Sequence, residues 1–274
     1  MKRQLYNIVA VIAVSIGYLS LAYAESKHAT VIIGNQPGTT PTDIHTLAQE
    51  LQGTGVNWVL IAVLWTWAEP QPSTANPQGA YSYYGPTTQG WHNYQTLDIL
   101  DQFINEMRAR GIQVVLKMNS HPSWAGGQPD CLFQPQCGII MDDHKQIFKD
   151  NWHDFAYNLA SRYPDIHYWS LWNEPNLSEN FAPQDPINPS GIISEYMDDI
   201  QIPGYSGVKS ANPAAVMVGP EIGLPQWVTV IGHAIIGDTV HRGVTAGRGP
   251  YSATSIAFLT FIPSTPTTSM LALK

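Results

Sequence analysis

The segment from Tyr168 to Asn176, with the sequence YWSLWNEPN, carries the residue types best suited to chemistry. Its carboxylate, Glu174, follows an apolar run directly, lies beside the amide of Asn173 and is closed off by Pro175. A carboxyl group held at the end of a buried strand can donate a proton to a substrate or accept one from it. The alternative is a structural role, in which Glu174 caps a helix or forms a salt bridge in the loop. The Trp-Asn-Glu-Pro context favours the chemical role, because a cap or a salt bridge does not need it.

These residues depend on elements that alternate between strand and helix. Mainly apolar runs predict strands at 30–34, 58–65, 112–118, 167–172 and 216–218. The run at 58–65 has no polar alternation, which is typical of a strand covered on both faces, as in a parallel sheet. Capping signals and helical spacing predict helices at 40–53, 94–110, 145–163 and 192–211. Residues 71–93 are rich in Pro, Gly, Tyr, Ser and Thr, and we expect a long loop there and no hairpin. The order strand, helix, strand predicts an α/β fold with parallel strands.

The architecture is either a doubly wound sheet or a TIM (β/α)8-type barrel. The sequence contains no GxGxxG motif after the first strand and no GxxxxGK[ST] motif, so the signatures of nucleotide-binding doubly wound folds are missing. Polar and aromatic residues instead follow four different strands: Trp65, Trp67 and Glu69, then His121 and Trp124, then Asn173 and Glu174, and finally Glu221. In a barrel these strand ends converge on one face, where active sites of that fold lie. We therefore predict the barrel.

The weaker candidates each have a structural alternative. Trp65 and Trp124 offer flat apolar faces to a sugar, but packing in the core is the favoured explanation for both. His121 either lines the floor of a pocket or is a hydrogen-bonded scaffold residue. Glu69 is expected to order the loop after the second strand rather than to contact substrate.

The run Trp172-Asn173-Glu174-Pro175-Asn176 resembles the acid/base segment of the clan of retaining glycoside hydrolases with (β/α)8 barrels, which includes families 5, 10, 39 and 51. Further segments resemble the same clan in the same order along the chain, namely WTWAEP at 65–70, RGIQVVL at 110–116 with HPSWA at 121–125, and KSANP at 209–213 with VGPE at 218–221. The resemblance covers about residues 30–225. It is specific for the clan, in a family 39- and family 5-like form, rather than for one family.

The resemblance implies an enzyme that hydrolyses O-glycosidic bonds of a plant- or microbe-derived oligo- or polysaccharide with retention, and without a cofactor. Such an enzyme needs one carboxylic acid that protonates the departing oxygen and a second carboxylate, about 5–5.5 Å away, that attacks the anomeric carbon. Glu174 matches the acid/base residue, and Asn173 matches the amide that hydrogen-bonds the sugar 2-hydroxyl. The further candidates for substrate binding are His121, Trp65, Trp124 and Glu221.

The largest departure from the clan is the nucleophile, a Glu at the end of the seventh strand, which is unknown here. No Glu follows Glu221, and the only later carboxylate side chain, Asp238, comes too soon after the fifth strand. Only 58 of the 274 residues follow Val216, whereas three more strand–helix units need roughly 100. We expect an incomplete barrel of about five to six βα units that is truncated at the C-terminus, with an atypical part at about 239–274. The second strand also lacks the Arg that relatives commonly carry.

Two hypotheses of different class follow. The first is an exported retaining glycosidase with Glu174 as its acid/base residue. The second is a non-catalytic carbohydrate-binding remnant, or a truncated and inactive glycosidase that lacks the nucleophile. The missing second carboxylate is the feature that separates them, because its loss removes several orders of magnitude in rate.

The composition excludes other classes of protein. The chain is 44% apolar and 12% charged, which rules out a disordered chain, and its formal net charge is −8. Because no basic block occurs, neither nucleic acid nor an anionic membrane surface is an expected partner.

The first 24 residues predict a secretory signal peptide. Met1-Lys2-Arg3 supplies the positive start, an apolar run extends from Ile8 to Leu21, and an A-x-A cleavage site ends at Ala24. The alternative is an uncleaved membrane anchor. We expect a secreted or periplasmic protein whose barrel domain comprises residues 25–274.

The two cysteines suit an oxidising compartment. Cys131 and Cys137 lie in a Gly/Pro-rich stretch, which favours a disulfide-pinned loop over two free thiols. No Cys or His at ligand spacing accompanies them, so no metal site is expected.

Overall fold

A computed structural model describes residues 29–72, 79–128, 139–177, 180–182 and 189–220. Its strands are β1 (Ala29–Ile33), β2 (Trp58–Leu64), β3 (Ser82–Tyr84), β4 (Trp91–Asn93), β5 (Gln113–Asn119), β6 (Tyr168–Leu171) and β7 (Val216–Val218). Its helices are α1 (Pro41–Gly53), α2 (Trp65–Ala68), α3 (Leu97–Ala109), α4 (Ser123–Gly126), α5 (Lys145–Arg162), α6 (Pro189–Glu195), a π-helical stretch (Tyr196–Gln201) and α7 (Ile202–Ala211).

Five parallel strands form the main sheet in the order β1-β2-β5-β6-β7. The two intervening strands, β3 and β4, pair with each other in a separate antiparallel sheet. Each strand of the main sheet is therefore joined to the next by a connection that includes helix. The predicted α/β fold with parallel strands is confirmed, and the bounds of its five strands lie within one or two residues of those expected.

The two faces of the sheet have different neighbours. Val59, Ile61 and Val63 of β2 belong to the large core shared with the helices, together with Val114, Leu116, Met118, Trp169 and Leu171 of the next two strands. The intervening positions face the other way, as the period of two in a strand requires. Register aligns Ala62 with Lys117 and Lys117 with Ser170 across β2, β5 and β6. These three residues therefore form one row on the face that would be the inside of a barrel.

Trp65 lies at the centre of an aromatic cluster beneath α5. It begins α2 rather than ending β2, is 0% exposed, and stacks on Phe155 with ring centroids 5.5 Å apart. Phe148 and Trp152, also from α5, contact the same indole at 5.7 and 5.6 Å. Such large buried rings contribute strongly to stability, and here they hold the carboxyl end of β2 against α5.

The segment 71–93 departs from expectation, because it contains the β3–β4 hairpin within its described part. Tyr83 pairs with His92, and Tyr84 pairs with Trp91, whose ring it meets edge-on at 5.7 Å. Strands of three residues are too short to show the alternation that identifies a strand. The aromatic residues that favour strand structure were the only local signal.

The last predicted helix also differs in detail. It begins at Pro189 rather than near Ile192 and widens into a π-helical stretch before continuing as α7. A helix of this kind often marks a local packing or functional constraint. The other predicted helices are present within a few residues of their expected bounds.

Several expectations concern residues that the structure does not describe. They are the signal peptide at 1–24, the disulfide between Cys131 and Cys137, Glu221, Asp238 and the atypical part at 239–274. Within the described ranges, no helix combines the length and apolar character needed to cross a membrane.

Candidate active site

The backbone that follows β6 adopts an unusual conformation. Trp172 has φ 66° and Glu174 has φ 39°, both in the left-handed region of backbone conformation that residues other than glycine rarely adopt. Such residues cost about 1–3 kcal/mol and persist where the surroundings fix them. Trp172 is fixed by its backbone N–H, which donates to Met118 O at 2.7 Å, and by its indole N–H, which donates to Asn180 O at 2.8 Å.

The carboxylate of Glu174 is half-buried and is held by side-chain amides. The Nδ2 groups of Asn173 and Asn180 both donate to its Oε2, at 3.3 and 3.2 Å. The amide oxygen of Asn173 in turn accepts a hydrogen bond from Lys117 Nζ at 2.7 Å. A carboxyl group at the carboxyl edge of a parallel sheet, held by neutral amides and open to solvent on one side, can exchange protons with a bound molecule.

His121 is enclosed next to this edge. It is 1% exposed, lies parallel to Trp172 with ring centroids 6.1 Å apart and meets Phe148 edge-on at 5.7 Å. Burial lowers the pKa of His121 to about 4, against the opposing effect of a hydrogen bond between its Nδ1 and the Pro122 carbonyl, so the ring is neutral near pH 7. Since a carbonyl can only accept, Nδ1 carries the proton and Nε2 is left as an acceptor.

The two candidate tryptophans lie together. Trp65 is fully buried and presents no face to a sugar, whereas Trp124 is partly exposed and meets Trp65 edge-on at 5.6 Å. The indole N–H of Trp124 donates to the backbone carbonyl of Glu69 at 2.9 Å. Trp65 is therefore a core residue, and Trp124 is the member of the pair that reaches the surface.

Glu69 orders the loop after β2 in the structure. Its buried carboxylate accepts hydrogen bonds from Trp65 Nε1 at 2.9 Å and from His92 Nδ1 at 3.0 Å. The other ring nitrogen of His92 lies 3.1 Å from Thr88 Oγ1 and 3.5 Å from Asp154 Oδ2. The imidazole of the hairpin is thus bracketed by a carboxylate from the β2 loop and one from α5.

This buried cluster has shifted proton affinities. Burial disfavours a charged His92, but its hydrogen bonds with Asp154 and Glu69 outweigh that effect and raise its pKa to about 9. Burial likewise disfavours a charged Asp154, yet hydrogen bonds from His153, His92 and Thr88 lower the pKa of that carboxyl well below its usual range. The cluster is therefore an ion pair at neutral pH, and it fixes the hairpin to α5.

Sequence reasoning identified Glu174 and Asn173 but missed two residues that the structure places beside them. Lys117 gave a signal, since it is the single charge in the apolar run of β5. Asn180 gave none, because its role depends on how the loop after Pro175 returns toward β6. Glu221, the remaining candidate, lies outside the described residues.

The described strands supply no second acid. No residue of the five parallel strands is Asp or Glu. Glu69, at the same edge of the sheet, has its carboxylate engaged by Trp65 and His92. Among the residues that the structure describes, no group of three or more His, Cys, Asp or Glu side chains is placed to hold a metal ion.

A parallel α/β sheet whose carboxyl edge presents an Asn-Glu-Pro turn is the arrangement expected of glycoside hydrolases built on (β/α)8 barrels, and the family match places the chain in that class. Within that class, the chain belongs to the cellulase family, glycosyl hydrolase family 5, whose family model matches residues 24–218. The match confirms the resemblance to the clan and selects family 5 from the families considered. It ends at the last residue of β7.

Solved structures with similarity to this chain are glycosidases of low sequence identity. A family 39 glycoside hydrolase from the gut symbiont Bacteroides cellulosilyticus WH2 is 15% identical, with a TM-score of 0.44 over 78% of this chain and 35% of its own. The β-glycosidase from the hyperthermophile Thermosphaera aggregans is 10% identical, with a TM-score of 0.45 and coverage of 70% and 52%. XacCel5A, solved in complex with cellopentaose, is 12% identical, with a TM-score of 0.41 and coverage of 72% and 53%. The chain thus spans about a third to a half of their lengths. No curated protein matches it.

Proposed function

We propose that this protein hydrolyses O-glycosidic bonds with retention of configuration, using Glu174 as the acid/base residue. The observation that carries the proposal is the Glu174 carboxylate itself, which is half-buried at the carboxyl edge of the sheet and held by the amides of Asn173 and Asn180. Membership of family 5 supports the reaction class.

The reaction assigns Glu174 two successive roles. In its protonated form it donates the proton to the glycosidic oxygen as the bond to the anomeric carbon breaks. The resulting carboxylate then accepts a proton from the water that releases the sugar. The NH2 group of Asn173 has two hydrogens, of which one points to Glu174 and the other is available to a sugar hydroxyl.

The attacking carboxylate of this mechanism is not among the residues of the described strands. This observation favours a second candidate function, a carbohydrate-binding protein that retains the sugar site without turnover. In the catalytic proposal, the nucleophile comes from a part of the protein outside the described residues. Glu221 and Asp238 both lie outside them.

We further propose that the substrate is a plant- or microbe-derived oligo- or polysaccharide and that residues 1–24 direct export. Cello-oligosaccharides are the first ligands to test, because XacCel5A was solved with cellopentaose.

Export is tested by sequencing the N-terminus of the protein recovered outside the cytoplasm of an expressing host. A new N-terminus at Glu25 supports the proposal, whereas a protein that stays in the cytoplasm with Met1 intact contradicts it.

The decisive experiment measures hydrolysis of a panel of aryl β-glycosides by the full chain, beside the variant Glu174→Ala. General acid catalysis contributes about 10²–10⁴-fold for substrates with poor leaving groups. The variant should therefore lose that factor in kcat/KM, which reports the bond-breaking step, on such substrates and much less on dinitrophenyl glycosides, whose leaving group needs no proton. Proton NMR of the first-formed product identifies retention.

An equal loss in kcat/KM on both kinds of substrate would contradict the acid/base role of Glu174. A folded protein with no turnover that binds oligosaccharides in calorimetric titrations would support the binding function instead. A chain that neither binds nor cleaves them would overturn both candidates.

A further inference from the structure

We infer that Lys117 is a positioning residue that sets the orientation of the Asn173 amide and, through it, the position of the Glu174 carboxylate. The orientation of the Asn173 amide by Lys117 is a property of the folded protein and holds whether or not the protein is catalytically active. Its catalytic part rests on the proposed function.

Lys117 occupies an unusual place for a lysine. It lies in the middle of β5, is 3% exposed and belongs to the row that aligns Ala62, Lys117 and Ser170 on the inner face of the sheet. Burying an ammonium group is costly unless hydrogen-bond acceptors replace its water. The small side chains of Ala62 and Ser170 on either side leave room for the lysine to extend toward the carboxyl edge, where its Nζ donates to Asn173 Oδ1 at 2.7 Å.

The chemistry of these groups permits one orientation of the amide. An ammonium group only donates hydrogen bonds, so the oxygen of Asn173 must face Lys117. An ionised carboxylate only accepts them, so the Nδ2 group must face Glu174, where it lies 3.3 Å from Oε2. Rotation of the amide by half a turn would direct NH2 at the ammonium group and oxygen at the carboxylate, which is unfavourable at both ends.

The backbone fixes the distance over which this arrangement acts. β5 and β6 are paired from Val115–Tyr168 to Met118–Leu171, and the N–H of Trp172 continues the pairing by donating to Met118 O. Lys117 therefore lies on β5, and Asn173 follows the end of β6 by two residues, so the pairing of the two strands fixes where both residues begin. The Lys117 ammonium group thus acts on the Glu174 carboxylate through the side-chain amide of Asn173, whose length sets the distance between the two charged groups.

The orientation matters for the proposed reaction because Asn173 donates in two directions. One hydrogen of Nδ2 holds the Glu174 oxygen, and in the proposed reaction the other is donated to a sugar hydroxyl. A half-turn of the amide would present its oxygen to the sugar hydroxyl in place of that hydrogen. Misplacement of a catalytic group by about 1 Å can cost about 10²-fold in rate.

The test is NMR of the side-chain amide of Asn173 in the ¹⁵N-labelled full chain, assigned by its loss in Asn173→Asp. In the wild type, we expect its Nδ2 resonance to shift with pH, and to stop shifting in Glu174→Gln. In Lys117→Met, which keeps the aliphatic stem but removes the charge, we expect that pH response to be lost.

The matched control is Lys209→Met. Lys209 Nζ also donates to carbonyl oxygens, those of Pro213 and Ala215 at 2.6 and 2.7 Å, but it lies beside the amino end of β7. Its replacement should leave the Asn173 resonance unchanged. An unchanged pH response in Lys117→Met would overturn the inference.

If Lys117→Met does not fold, the wild type decides the question alone. A nuclear Overhauser effect from the Asn173 Nδ2 protons to the γ protons of Glu174 supports the stated orientation, whereas one to the ε protons of Lys117 without the former refutes it. Where glycosidase activity is found, kcat should fall about 10- to 100-fold in Lys117→Met with a smaller change in KM. Absence of activity in the wild type bears on the proposed function only, because the amide resonance reports the orientation without turnover.

Discussion

The ion pair that fixes the hairpin predicts a loss of stability on the alkaline side of neutrality. His92 is 2% exposed and donates to buried carboxylates on both sides, which raises its pKa to about 9 from 6.5 in an unfolded chain. The folded protein therefore binds this proton more tightly than the unfolded chain does. The stabilisation is fully present below pH 6.5 and is lost as pH rises through 9.

The magnitude follows from the size of that shift. A difference of one pKa unit corresponds to about 1.4 kcal/mol, so the raised pKa of His92 is worth about 3 kcal/mol. We expect the free energy of unfolding to fall by about 3 kcal/mol between pH 6 and pH 9.5. The range ends below pH 10 because burial raises the pKa of Tyr94, whose ionisation in the unfolded chain would add a second loss.

The assay is urea denaturation followed by tryptophan fluorescence at half-unit steps of pH. The variant His92→Gln should be less stable than the wild type by about 3 kcal/mol at pH 6, because it removes the cation between two buried carboxylates. It should also show no alkaline decline. The control His153→Gln removes a histidine beside the same Asp154 but leaves His92 in place, so the decline should persist.

Two results would refute this reasoning. One is a wild-type free energy of unfolding that stays constant from pH 6 to pH 9.5. The other is an equal decline in His92→Gln, which would assign the loss to other groups.

Three further predictions concern the surroundings of the site. Burial lowers the pKa of His121 to about 4, so the unfolded chain binds a proton at this ring more tightly than the folded protein does. The free energy of unfolding should therefore fall as pH falls from 6.5 toward 4. Urea denaturation should then show a loss of about 3 kcal/mol that is absent in His121→Gln, and an equal loss in that variant would contradict the assignment. A Cβ on Gly85 would overlap the Asp154 carboxylate, so Gly85→Ala should lower the free energy of unfolding by about 1–3 kcal/mol, whereas Gly90→Ala, with ordinary contacts, should be nearly neutral. Similar effects of the two changes in thermal denaturation would argue against a crowded Gly85. Trp65→Leu should cost about 3 kcal/mol by leaving a cavity beneath α5, and weaker oligosaccharide binding without that loss would indicate a sugar contact instead.

The regular part of the fold was predictable because its signals are local. The run from Trp58 to Leu64 is apolar at every position, and the spacing of Leu97, Leu100 and Ile104 identifies α3 without reference to the rest of the chain. The hairpin was missed because strands of three residues are too short to show alternation and because the carboxylates that contact His92, those of Glu69 and Asp154, come from elsewhere in the chain. No local pattern contains that information.

The candidate site divides in the same way. Glu174 and Asn173 were predictable because they follow a strand directly. The role of Lys117 required knowing that β5 lies next to β6 and in which register, since its partner is 56 residues further along the chain. Trp65 was placed at the end of a strand, whereas it is the first residue of α2 and is enclosed by aromatic rings of α5, which lie far away in the sequence.

Glu69 links two loops at the carboxyl edge of the sheet, and this link bears on how the loops of such proteins can be exchanged. Its carboxylate binds the hairpin through His92, and its backbone carbonyl binds the loop after β5 through Trp124. The loops after β2 and β5 are therefore not independent modules that can be exchanged one at a time. A graft that replaces one of them would remove a hydrogen-bonding partner from the other, so loop exchange aimed at new specificity should carry both loops and the hairpin as a single unit.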